Sequence, residues 1–73
     1  MPDRAIIEQH LAMAEGHVAK AGELVERQRS LVADLERDGH DTTEARRLLA
    51  EFQEIEAMHI SDRDRLRREL ASL

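Results

Sequence analysis

Apolar residues recur in unbroken steps of four and three through two segments of this chain, one on either side of Gly39. The first segment carries Ile7, Leu11, Ala14, Val18, Ala21, Val25, Gln28, Val32 and Leu35. The second carries Ala45, Leu48, Phe52, Ile55, His59, Asp62, Leu66, Glu69 and Leu73. This spacing keeps one stripe on one side of an α-helix, as in a coiled coil. Reading the two lists against each other pairs Leu35 with Ala45, Val25 with Ile55 and Ile7 with Leu73, always about His40. The pattern predicts an all-α, coiled-coil-like antiparallel two-helix hairpin, a single domain over residues 1–73.

A hairpin of 73 residues encloses one narrow apolar strip. Chains of this size usually need a disulfide, a metal or self-association to reach useful stability. With no cysteine the first route is closed, and self-association becomes the default expectation. The lack of Cys also excludes thiolate metal sites and redox chemistry. Hydrophobic residues form 41% of the chain and charged residues 37%, which suits charged helices around an aliphatic seam rather than disorder. No stretch approaches the roughly 20 apolar residues needed to cross a bilayer, so a cytoplasmic protein without membrane contact is expected. The formal net charge of −5 disfavours nonspecific nucleic-acid binding, which needs a surplus of Lys or Arg to neutralise phosphates.

Pro2 and Asp3 suit a helix start, since Pro is tolerated where the amide has no partner and Asp favours the positive end of the helix dipole. The first helix is predicted over about 3–37, continuous through Gly16 and Gly22. The turn is placed at 38–41, with Gly39 as the left-handed residue after the helix end. Asp41 is expected to cap the second helix, about 42–72, with Glu44 reaching back to complete a capping box.

Heptad assignment puts His10, His17, Leu24 and Leu31 in the g column of the first helix. In the second, Met58 falls at g and Leu49 and Leu70 at e. Leu24, Leu31 and Met58 then widen the apolar stripe on one flank, and a stripe wider than a and d calls for a second layer of helices. A homodimer completing a four-helix bundle is expected, with Leu24, Leu31, Met58, Leu49 and Leu70 at the dimer or partner interface. On the other flank Glu15 should meet Arg63, and Arg29 should meet Glu56. Val25 and Ile55 face each other in the strip, so an Asp at either position should unfold the hairpin.

The polar members of the seam are where chemistry is sought. His17, His59, Asp62 and Gln28 read most simply as a hydrogen-bonded layer that sets register, with His17 close enough to Asp62 to pair. A pH-sensitive interface is the sharper alternative, since imidazole titrates near neutrality. The Glu56 to His59 spacing, Glu-x-x-His, is that of ligands on one face of di-iron bundles. Leu24 opposite Glu56 supplies no further carboxylate, so no metal or cofactor is expected, Glu56 and His59 remaining the only candidate ligands. The run from Asp62 to Glu69 includes Arg63, Arg65, Arg67 and Arg68, but its interleaved acids mark a solvated, ion-paired face. No nucleophile with a base, phosphate loop or carboxylate pair in a cleft is visible, so no catalytic residue is assigned and no enzyme is expected.

Gly16-His17-Val18, Gln28-Arg29, Leu31-Val32-Ala33, Gly39-His40-Asp41-Thr42, Leu48-Leu49, His59 and Arg63-Asp64-Arg65-Leu66 together span nearly all of the chain. On these residues the chain resembles a group of short uncharacterised bacterial helical-hairpin proteins with a Gly-His-Asp-Thr turn. The resemblance implies the hairpin and brings no activity, ligand or partner with it. In shape alone the chain is also similar to small plasmid copy-number repressors, hairpin dimers that bind paired RNA loops, though no RNA-contact motif of theirs is matched. The expectation is a non-enzymatic interaction or regulatory protein working through homo- or hetero-association of helices, with a possible protein partner. The alternatives are an RNA-binding regulator and a metal-binding bundle.

Overall fold

The structure is a computed structural model that describes residues 3–73, so the expectation resting on Pro2 lies outside the described residues. Two helices make up the fold, α1 over Arg4–Arg37 and α2 over Thr43–Ala71, with no strand among the described residues. They pack along their length into a rod with Cα extents of 57 × 14 × 13 Å. Among the described residues, no helix is long and apolar enough to cross a membrane.

Asp3 begins α1 by accepting a hydrogen bond from the Ala5 amide at 2.9 Å, which satisfies one of the helix's unpaired donors. The end of α1 is a Schellman motif. The His40 amide donates to the Leu35 carbonyl at 2.9 Å and the Gly39 amide to the Glu36 carbonyl at 3.1 Å, with Gly39 at φ 75°. Glycine takes this left-handed conformation without a Cβ clash. Asp41 then accepts from both the amide (3.0 Å) and the hydroxyl (2.7 Å) of Thr43. The cap position of α2 is Thr42 rather than the expected Asp41, with no side-chain cap bond, and the capping box does not close, since the Glu44 carboxylate accepts from Arg47 at 3.0 Å. An ion pair from Arg46 to Glu36 bridges the two helices beside the turn.

The seam of α1 is the one its spacing implies. Ile7, Ala14, Ala21, Val25, Gln28 and Val32 are buried, and Leu11, Val18 and Leu35 are half-buried between them. The seam of α2 is rotated by one column. Ala45, Leu49, Phe52, Glu56, His59, Arg63, Leu66 and Leu70 line it, whereas Leu48 and Ile55 face outward at 39% and 47% exposure. The four d positions, Leu48, Ile55, Asp62 and Glu69, include two acids in the distal half of α2. The four e positions, Leu49, Glu56, Arg63 and Leu70, place leucines at both ends and long side chains between them, whose stems cover apolar surface while their heads reach water. Turning e inward buries Leu49 and Leu70 and keeps Asp62 and Glu69 near solvent.

The register also moves. The His17 and His59 rings meet, and Glu56 lies over Gly22, which centres the pairing between Asp38 and Gly39 instead of at His40. The displacement of α2 along α1 is roughly half a turn to one turn. The cross-helix pairs expected on the far flank do not form, since Arg63 bonds Asp64 at 3.0 Å and Arg29 lies 3.9 Å from Glu26.

Candidate functional site

With Leu48 and Ile55 turned outward, α2 offers them on the same side as the g column of α1. On that flank Leu24, Leu31, Leu48, Ile55 and Met58 are exposed, the last at 70%. Three shallow hollows mark the rod, two of them bordered by these residues. The one nearest the turn is lined by Gln28, Leu31, Leu35, Ala45 and Leu48. A second is lined by Ile55, Met58, His59, Ser61, Asp62 and Arg65, and a third by His10, Met13, Ala14, His17, Asp62, Arg65 and Leu66.

Of the five residues expected at an interface, Leu24, Leu31 and Met58 belong to this face. Leu49 and Leu70 are half-buried in the seam between the helices, because the rotation of α2 draws the e column inward. Leu48 and Ile55 are the members that sequence periodicity did not select. Their signal was present: the d column that contains them ends in Asp62 and Glu69, which no dry seam would accommodate without partners.

The polar layer separates into distinct parts. Gln28 is buried and donates from Nε2 to the Ala45 carbonyl at 2.9 Å, a cross-helix bond near the turn rather than a contact opposite Phe52. Asp62 bonds Arg65 and not His17, and Arg65 also donates to Glu69 at 2.9 Å. These bonds, that to Asp62 foremost, raise the Arg65 pKa further above its ordinary value. Because Arg65 is shared by two carboxylates and Arg63 is paired with Asp64, half of the four-arginine run is neutralised locally. His17 instead finds His59, the ring centroids lying 5.0 Å apart with planes tilted by 43°.

Glu56 and His59 diverge: Glu56 lies over Gly22 at one edge of the seam, and His59 turns to His17 at the other. Among the described residues, no three His, Asp or Glu side chains converge as a ready metal centre. Comparison with protein-family models, curated proteins and solved structures gave no match.

Proposed function

We propose that the protein is a non-enzymatic helical interaction module that pairs with a second copy of itself through the face bearing Leu24, Leu31, Leu48, Ile55 and Met58. The observation that carries this reading is the exposure of five large aliphatic side chains on the two helices, which heptad position assigns to one flank of the hairpin. Soluble monomers rarely leave an apolar strip of that kind open, and such strips mark association sites. Each hairpin buries only one seam, and stacking two faces creates the second layer of a four-helix bundle. A two-fold arrangement suits a surface of this sort, since the same patch serves both copies. The helices offer shallow hollows rather than a deep pocket, which favours recognition of a surface over turnover of a substrate.

Light scattering at tens of micromolar tests the reading. The expected mass is twice 8.4 kDa, falling to a single chain in Met58→Glu and Leu31→Glu variants that keep their helicity. A wild-type monomer at these concentrations would refute the dimer.

A further inference from the structure

We propose that His17 and His59 form a two-imidazole clamp for a borderline divalent transition-metal ion, with Zn²⁺ as its simplest probe. One ligand comes from each helix, and a bound ion would cross-link the hairpin across its middle. The geometry is the first support. Two imidazoles sharing one tetrahedral ion, with Zn–N near 2.0 Å, hold their ring centroids about 5 Å apart. The observed separation is 5.0 Å, with the rings tilted by 43° rather than stacked face to face.

The second support is how the pair is held. His59 is half-buried, and His17 lies between the buried Ala14 and Ala21 in the sequence of α1, so the backbones bearing the two rings are fixed by the packed seam. Such anchoring lowers the entropy lost when both rings engage one ion. Imidazole nitrogen suits Zn²⁺, Ni²⁺ and Cu²⁺ and is a poor ligand for Mg²⁺ or Ca²⁺, which fixes the class of ion.

The third support is the oxygen nearby. Asp62 borders both the hollow that contains His17 and the hollow that contains His59, and it follows His59 by three residues on the same helix. It is bonded to Arg65, whose charge is balanced by Asp62 and Glu69 together. Asp62 offers an outer-sphere carboxylate beside the ion, and water completes the coordination. The ion would therefore use His17 from α1 in place of the Glu56 suggested by the Glu-x-x-His spacing. Both protein ligands belong to one chain, so the site does not depend on self-association.

The test is calorimetric and thermal titration of the tag-free protein with ZnCl₂, with MgCl₂ as the control. One Zn²⁺ per chain is expected, with a melting temperature that climbs with the logarithm of free Zn²⁺, because the ion binds the folded hairpin more tightly than the unfolded chain. Removing either imidazole should weaken binding by at least about tenfold, since a lone imidazole has lost its chelating partner. His17→Ala serves as the main variant because His17 is exposed, and far-ultraviolet circular dichroism verifies its fold. His10→Ala and Glu56→Gln should bind as wild type does. Proton NMR of the wild type supplies a readout free of mutation, in which the ring signals of His17 and His59 shift together at one equivalent of Zn²⁺. No saturable binding up to millimolar Zn²⁺, or binding retained in a folded His17→Ala protein, would overturn the proposal.

Discussion

Gln28 and Ala45 are joined across the helices by a hydrogen bond of 2.9 Å from the side-chain amide to the backbone carbonyl. Gln28 is the only polar residue counted as buried among the described residues, at 8% exposure. Its bond ties the last third of α1 to the first turn of α2 and thereby helps set the register. A Gln28→Glu substitution keeps the shape but loses the donor and turns a carboxylate towards a carbonyl oxygen. The expected loss of stability is about 2–3 kcal/mol at neutral pH. Part of it should return on acidification, when the protonated carboxyl can donate again. Thermal melts of the variant from neutral to acidic pH, compared with wild type, check both statements.

Val25 and Ile55, paired by periodicity, occupy different environments. Val25 is 2% exposed at the centre of the seam and Ile55 is 47% exposed on the open face. Val25→Asp should abolish cooperative melting, because an unpaired carboxylate enters an apolar strip at a cost of several kcal/mol. Ile55→Asp should leave the hairpin helical and lower only its tendency to associate. Circular dichroism and light scattering on the two variants separate these outcomes, and unfolding by Ile55→Asp would return Ile55 to the seam.

The three glycines should respond in opposite directions. A Cβ at Gly16 meets nothing within 4 Å, and one at Gly22 meets Glu56 Oε2 at an ordinary 3.7 Å. Alanine at either site should stabilise the protein by about 1 kcal/mol, through higher helix propensity and a less flexible unfolded chain. Gly39 has φ 75°, so Gly39→Ala should cost about 1–2 kcal/mol despite open space around it. Chemical denaturation midpoints of the three variants provide the comparison.

Asp41 links the turn to acid stability. The Thr43 amide, and then the Thr43 hydroxyl, hold its carboxyl below the usual 3.8. A carboxyl whose folded pKa is depressed stabilises the protein above its unfolded value, and that contribution disappears as pH falls through the lower folded value. Asparagine can accept the same bonds from Thr43 without titrating. Asp41→Asn should therefore melt close to wild type near pH 3, where its carboxylate counterpart is being lost, and below it at neutral pH. A constant difference between the two proteins across this range would show that the carboxylate charge contributes nothing.

The two helices and the reversal at Gly39 were determined locally. An unbroken step of four and three can be satisfied only by a helix with one buried stripe, and a glycine followed by Asp and Thr favours a helix end and restart. The α1 stripe was legible because its e column carries Glu8, Glu15, Gly22 and Arg29 and its g column begins with His10 and His17, so only a and d are apolar along the whole helix. In α2 two columns had comparable claims, d with Leu48 and Ile55 and e with Leu49 and Leu70, and neither was uniformly apolar. Only packing against α1 decided between them: the Glu56 carboxylate came to lie over Gly22, and the rotation kept Asp62 and Glu69 near water. The same rotation exposed Leu48 and Ile55 beside Leu24, Leu31 and Met58, and brought His59 to His17. Periodicity specifies which side of a helix is apolar, whereas a rotation of one column and a slide of up to one turn depend on contacts between segments far apart in the chain.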